Sequence, residues 1–354
     1  MNSEDIKSPF GGFRGLKAGI IGGAGYTGGE LLRILINHPN VEIAFVHSNS
    51  NAGNYIYDVH TDLFGDTDLK FSGNEAISSP IGGGRERGID VLFLCVGHGD
   101  ARKFLEAHPV DKSVKIIDLS QDFRLSTNNS LSRGEGWGEA FIYGLPELNR
   151  EQIKTAKNIA NPGCFATGLQ LAMLPLAKKG LLNTEVHISA TTGSTGAGQS
   201  LSPTSHFSWR NNNLSVYKAF GHQHLKEIRQ SIQELQPDFD KEINFIPYRG
   251  NFPRGIMASV YLDCDLSQEE AEQLYEDYYR EHPFTHVSKK NIDLKQVVNT
   301  NKCLLHIEKH GSKLLILSIV DNLLKGASGQ AVQNMNLLFG LEETAGLRLK
   351  AQGF

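Results

Sequence analysis

The first half of the chain alternates apolar runs of strand length with longer segments whose apolar residues recur at helical spacing, the pattern of β-α-β units around a parallel sheet. Leu16–Ile21 is the first predicted strand. It runs into Gly22-Gly23-Ala24-Gly25-Tyr26-Thr27-Gly28-Gly29, and residues 30–36 then form a predicted helix that Asn37-His38-Pro39 stops. Val41–His47, 91–96 and 114–119 are predicted as further strands, apolar through most of their length as doubly covered strands should be. Residues 126–139, polar and glycine-rich, read as a surface loop. Beyond residue 160 the pattern changes: 185–191, 243–246, 255–263 and 301–306 alternate apolar and polar positions, as half-covered antiparallel strands do. Residues 331–339 predict a C-terminal helix. No repeat and no flexible linker interrupts the chain, which implies two domains with a firm interface, where small-molecule sites tend to lie.

Composition narrows the function classes. The 354 residues give room for about two domains. Lys+Arg 35 against Asp+Glu 39 leaves a net charge of -4 with no long block of either sign, so no footprint for nucleic acid or a membrane surface is expected. The longest apolar runs, 91–96 and 314–320, fall far short of the roughly 20 residues of a bilayer span. The first 15 residues carry no apolar h-region, so the cytoplasm is the expected compartment. Four cysteines without a CxxC pair argue against a zinc site and a disulfide framework. Glycine, at 37 residues, exceeds its usual share of about 7% and points to tight turns or close approach to a ligand.

Two segments carry the chemistry. Gly22, Gly25 and Gly28 sit between a strand and a helix, where glycine lets the backbone approach a pyrophosphate held by free helical N–H groups; a tight turn with no dinucleotide is the alternative. The second strand ends in His47-Ser48-Asn49-Ser50-Asn51, with no acid to hold a ribose 2′-hydroxyl or repel a 2′-phosphate, which favours NADP(H) with Ser48 as the nearest hydroxyl. Cys95, Cys264 and Cys303 lie in apolar stretches and read as core residues. Cys164 follows Asn161-Pro162-Gly163 and opens a predicted helix ending near Lys178-Lys179-Gly180. There the helix dipole favours a thiolate with a pKa lowered toward neutrality, and nucleophile and buried structural thiol remain equal readings on this chemistry alone.

The segment from Ile159 to Gly168, with Ala172-Met173-Leu174-Pro175 behind it, resembles the active-site signature of the N-acetyl-γ-glutamyl-phosphate reductase family. Gly25-Tyr26-Thr27-Gly28, Asp122-Phe123-Arg124-Leu125, the stretch from Tyr143 to Leu148 and the stretch from Asp321 to Asn336 resemble the same family, so the likeness spans about residues 16–340. It implies a Rossmann α/β NADP-binding domain (1–160 and 327–354) and an α+β catalytic, dimerising domain with a mostly antiparallel sheet (161–326), as in glyceraldehyde-3-phosphate dehydrogenase. It also implies an acyl-phosphate substrate, Cys164 as nucleophile and a homodimer or homotetramer. The histidine partner falls in Gly221-His222-Gln223-His224-Leu225-Lys226-Glu227, with His222 chosen as acid and base near its ordinary pKa of about 6.5; a metal site with Glu227 is the alternative. Arg124 or Arg254 is the expected ligand of the substrate carboxylate, each with a structural ion pair as its alternative. Ser194, in the glycine-rich turn 192–198, and Glu227 are expected near the substrate, while Tyr26, Thr27 and Asn322 are expected at the cofactor. The chain departs from the family at Asn49, where an arginine is common, at Val96-Gly97-His98-Gly99, and at Gln223, Leu225 and Lys226. An N-succinyl-glutamyl phosphate, or an aminoadipyl phosphate on a carrier protein, is the rival substrate.

Overall fold

The apolar runs of the first half assemble into one six-stranded parallel sheet. In the computed structural model, which describes residues 15–77, 81–82, 88–125 and 140–353, its strands are β1 (Leu16–Ile21), β2 (Val41–His47), β3 (Val91–Leu94), β4 (Lys115–Asp118), β5 (Phe141–Tyr143) and β6 (Asn158–Ala160), in the order β2-β1-β3-β4-β6-β5. Helices α1 (Tyr26–Leu35), α2 (Asp100–Ala107) and α3 (Pro146–Thr155) cover it. β3 is two residues shorter than predicted: after Cys95 bonds to Ile21 the chain turns through Gly99, whose φ is 87°. The expected loop at 126–139 and the N-terminal segment 1–14 lie outside the described residues.

The second sheet is mixed and has seven strands. β7 (Val186–Thr192), β8 (Ser215–Val216), β9 (Ile243–Arg249), β10 (Ile256–Asp263), β11 (Thr285–Ser288), β12 (Cys303–His310) and β13 (Lys313–Val320) lie in the order β11-β12-β13-β10-β7-β9-β8, and four of the six pairings are antiparallel. β9 runs three residues beyond the prediction because Tyr248 and Arg249 find partners on both sides, in β7 and in β8.

Helix α4 (Cys164–Lys178) packs between this sheet and helices α5 (His224–Leu235) and α6 (Gln268–Tyr279). Residues 165–177 are all buried, so α4 is apolar around its whole circumference, as a helix inside a core must be. With each large aliphatic side chain contributing about 1.5–3 kcal/mol on burial, α4 is a fixed element and its first residue is held rigidly. The last helix, α7 (Ser328–Leu338), returns to the first sheet: Ala331, Val332 and Met335 share a core with Ile20, Leu31 and Ile34.

Two glycines explain the β1–α1 turn. Gly22 has φ 76°, and a Cβ on Gly28 would lie 2.5 Å from the Gly23 carbonyl oxygen, so α1 packs on the turn only without a side chain there. Gly28→Ala is therefore expected to weaken NADPH binding about tenfold or more, the equivalent of about 1.4 kcal/mol, with an unchanged far-ultraviolet circular dichroism spectrum. Fluorescence titration checks this, and undiminished affinity would contradict the packing argument.

Candidate active site

The turn between β6 and α4 presents Cys164 at the carboxyl end of the parallel sheet. Asn161 anchors the turn: its N–H donates to the Asp118 carbonyl (2.8 Å), its amide donates to the Ala327 carbonyl (3.0 Å), and its Oδ1 accepts from Asn334 (3.0 Å). Gly163 is the N-cap of α4 and provides no side-chain cap, which leaves the first-turn N–H groups for a ligand. A Cβ on Gly326 would come within 2.9 Å of the Cys164 Cβ, so the 321–327 loop closes directly over the cysteine. Lys325 fixes that loop through a fully buried ion pair with Glu147 (2.9 Å).

Glu227, from the first turn of α5, organises the surroundings. Its Oε1 accepts from Arg124 (3.1 Å), and its Oε2 accepts from the Tyr143 hydroxyl (3.0 Å) and the Gly163 N–H (3.0 Å). Arg124 in turn donates Nε to the Asn161 carbonyl (2.8 Å) and Nη2 to the Leu119 carbonyl (2.9 Å). Arg124 thus has its carboxylate already, and its guanidinium braces the turn that carries Cys164. Tyr143 and Gln170, which donates to the Tyr143 hydroxyl (2.7 Å), complete the network; nothing in their local sequence pattern points to partners 84 and 27 positions away.

His222 is buried beside this cluster, its ring 5.4 Å from Phe165 and 4.6 Å from His224. Its Nδ1 accepts from the His224 N–H (3.2 Å), which assigns its proton to Nε2. Burial, with Lys218 and Arg249 adding to it, pulls its pKa down to about 4, so the ring is a neutral N–H donor at pH 7 and not a group poised near 6.5. His224 is buried with its Nε2 3.9 Å from Glu227 Oε1 and its Nδ1 unpartnered, and burial holds it neutral as well. Burial pushes the Cys164 thiol up to about 11, and the Phe165 N–H and Arg124 only partly oppose this. The near-neutral pKa expected from the helix terminus is not reached, because desolvation outweighs the dipole in the ligand-free site. Among the described residues no cluster of histidine, cysteine and carboxylate has the geometry to hold a metal.

A cleft of about 760 Å³ opens beside these groups, lined among others by Arg102, Asp122, Arg124, Phe220, His222 and Lys226. Arg254 does not reach it as a free cation: it pairs with Glu30 (2.6 Å) on α1 and with Asp321 (3.1 Å), tying the catalytic sheet to the glycine-turn helix. Asn322 bridges two turns, accepting from the Gly255 N–H (2.7 Å) and donating to the Thr195 hydroxyl (3.0 Å). Ser194 is half-buried at the start of the second of these turns.

The glycine turn fits a dinucleotide. The α1 N-terminus has Gly25 as an uncapped N-cap and no acidic residue in its first turn, so its N–H groups and dipole face outward without a competing anion. Tyr26 is 38% exposed at that terminus, next to Thr27. Ser48 follows β2, its hydroxyl accepting from Asn51 (3.1 Å), and residues 47–51 bring no carboxylate to repel a 2′-phosphate.

Comparison with known proteins agrees with this arrangement. Residues 17–156 match the family described as semialdehyde dehydrogenase, NAD binding domain, and residues 164–322 match the semialdehyde dehydrogenase dimerisation domain. A protein of Bacteroides thetaiotaomicron called N-acetyl-gamma-glutamyl-phosphate reductase is 58% identical over 339 residues, covering 96% of this chain and all of the relative. The chain belongs to the N-acetyl-γ-glutamyl-phosphate reductase family. Another member, from Flavobacterium johnsoniae, is 56% identical over the same coverage. Among solved structures, Vibrio cholerae aspartate semialdehyde dehydrogenase II complexed with ASA aligns with a TM-score of 0.69 at 17% identity, over 92% of this chain and 98% of that one. Candida albicans aspartate semialdehyde dehydrogenase with NADP aligns at 0.63 and 13% identity, over the same shares of the two chains. These two likenesses establish the shared fold. The chain is accordingly an oxidoreductase with an NADP(H)-binding Rossmann domain and a second domain of dimerising type. Among the described residues no helix is long and apolar enough to cross a membrane.

Two outcomes follow from this geometry. The alkylation rate of Cys164 by iodoacetamide in the ligand-free protein should keep rising with pH beyond 9, toward the thiol value of about 11; a plateau near pH 7 would contradict the dominance of burial. Glu227→Ala, which leaves Arg124 buried without its partner, should lower the free energy of urea unfolding by roughly 3–5 kcal/mol, and a loss below 1 kcal/mol would refute the network's structural role.

Proposed function

We propose that the chain reduces N-acetyl-γ-glutamyl phosphate to N-acetylglutamate semialdehyde in arginine biosynthesis, with Cys164 as the nucleophile. The observation that carries this reading is the setting of Cys164, first residue of an uncapped buried helix, under Gly326 and beside the His222 cluster. The sulfur attacks the acyl carbon, the C–O bond to phosphate breaks, and the thiol proton leaves with hydrogen phosphate. NADPH, when bound, supplies the hydride. The carbonyl oxygen of the Cys164 thioester becomes an oxyanion as its carbon takes up hydride. First-turn N–H groups of α4 and the Nε2–H of His222 donate to that oxygen. Collapse breaks the C–S bond, releases the aldehyde and returns Cys164 as a thiolate that regains a proton from water.

The remaining residues take supporting parts. Arg124 and Glu227 position the Cys164 turn, and Arg254 holds the substrate wall that Ser194 lines against α1. Gly22, Gly25, Tyr26, Thr27 and Gly28 cradle the pyrophosphate, Ser48 meets the adenosine ribose, and Asn322 sets the turns beside the nicotinamide. The domain limits at 160/161 and 326/327 are part of the same reading, supported by the return of α7 to the first core. The enzyme works in the cytoplasm as a homodimer or homotetramer, without nucleic acid or membrane partners. An N-succinyl substrate is the second reading, favoured by Lys226 on the cleft wall, which would accept one more carboxylate.

The test is phosphate-dependent reduction of NADP in the reverse direction, with N-acetylglutamate semialdehyde and then its N-succinyl analogue. Turnover with the acetyl compound at the higher kcat/KM is expected; preference for the succinyl compound would replace the acyl group, and turnover with neither would overturn the reading. Cys164→Ser should abolish turnover while NADPH still binds. His222→Asn should lower kcat by about 10²- to 10⁴-fold with unchanged thermal stability. Burial pulls the pKa of His222 down to about 4, and its Nε2–H is present in both protonation states, so His222 should contribute no acidic limb to kcat/KM near pH 6.5; a limb at 6.5 that disappears in His222→Asn would contradict this.

A further inference from the structure

Two cations, Arg249 and Lys218, lie close enough to His222 to act on its titration, with no carboxylate in ion-pair range among the described residues. Arg249 ends β9, opposite Thr192 in β7 and Ser215 in β8, so it leaves the sheet at the same end as the turn carrying Ser194. Its guanidinium lies over the Tyr217 ring at 4.6 Å, and its Nε is buried without a hydrogen-bond partner. The Tyr217 ring is 5.9 Å from His222 and packs on the same core as Cys164. Lys218 donates only to the neutral amide of Gln223 (3.0 Å). Arg210, buried behind them, spends its donors on the carbonyls of Thr204 and Arg249 and on the Ser215 hydroxyl. Lys218 and Phe220 both hold positive φ values, 47° and 58°, although neither is glycine. Such backbone conformations cost free energy and concentrate where a segment is shaped for function.

Buried or half-buried arginines are ordinarily paired, as Arg124 and Arg254 are here, whereas half-buried Arg249 is not; Lys218 beside it is exposed. A half-buried guanidinium that lacks its anion and reaches His222 through the Tyr217 ring marks a place where the anion arrives with the substrate. The proposed acyl phosphate brings two such groups, the phosphoryl and the α-carboxylate. The two arginines expected from sequence to meet them already hold Glu227, Glu30 and Asp321.

We propose that Arg249, backed by Lys218, binds an anionic oxygen group of the substrate, phosphoryl or carboxylate, beside Cys164 and thereby selects acyl phosphates of acidic amino acids. This inference rests on the reaction proposed above, and its test separates the two. In the reverse direction, Arg249→Met should raise one KM at least about tenfold, the size of a lost charge-assisted hydrogen bond, with kcat nearly unchanged. Arg249→Lys, which keeps the charge, should recover most of the loss. A rise in the KM for inorganic phosphate names the phosphoryl group, and a rise in the KM for the semialdehyde names the carboxylate. A second measurement needs no turnover: protection of Cys164 from iodoacetamide by inorganic phosphate and, separately, by N-acetyl-L-glutamate. Weaker protection of Arg249→Met than of the unmodified protein by either anion supports the site even if no semialdehyde is turned over. Equal protection by both anions, or unchanged KM values in a variant that keeps its melting temperature, overturns it.

Discussion

The carboxylate of Glu227 accepts hydrogen bonds from Arg124, Tyr143 and the Gly163 N–H, and those donors come from three separated parts of the chain. Arg124 follows β4, Tyr143 lies in β5, and Gly163 caps the helix that begins with Cys164. One buried anion on α5 therefore locks the carboxyl ends of the parallel strands to the helix that delivers the sulfur. Such a pair adds little net stability over an apolar substitute, but with one partner removed the other is left as an uncompensated charge. Its benefit is positional: the sulfur and the α4 N-terminus are fixed before any ligand arrives, which is what transition-state stabilisation by preorganised donors requires.

With Glu227 committed to Arg124, the rest of the site carries an excess of positive charge. Burial and the neighbouring cations keep His222 neutral, and burial keeps the Cys164 thiol protonated. Both groups rest uncharged, with Arg249 and Lys218 close enough to His222 to act on its titration. The missing charge is negative, and an acyl phosphate supplies it at the moment the sulfur must react. Arg254 extends the same logic to the cofactor side, since its pairs with Glu30 and Asp321 make α1 and the 321–327 loop move as one body.

Much of this was legible in the sequence where the signal is local. The β1–glycine–α1 unit and the Asn161-Pro162-Gly163-Cys164 turn are short-range patterns; the strand and the cysteine turn fold where expected, and α1 starts four residues before the predicted 30, at Tyr26, inside the glycine turn. Helix α6 carried an equally plain signal that was not used, the capping box formed by Ser267 and Glu270. The parts that escaped are those made by distant partners. Arg124 and Arg254 look alike as candidates for a substrate carboxylate, and only their contacts with Glu227, 103 residues away, and Glu30, 224 residues away, reveal them as paired. Arg249 was passed over because it lies in an unremarkable strand and gains meaning only from Tyr217 and His222. The titration of Cys164 departs from the sequence expectation for a similar reason, since a helix terminus is visible in sequence and the depth of its burial is not.

The central claim is that Cys164 forms the covalent link to the substrate. Incubating the protein with N-acetyl-γ-glutamyl phosphate in the absence of NADPH, quenching in acid and mapping the peptides by mass spectrometry tests it directly. The account predicts an N-acetylglutamyl thioester on Cys164 that disappears when NADPH is added. An unmodified Cys164 in a preparation that releases phosphate and turns over with NADPH, or an acyl adduct on another residue, would contradict it.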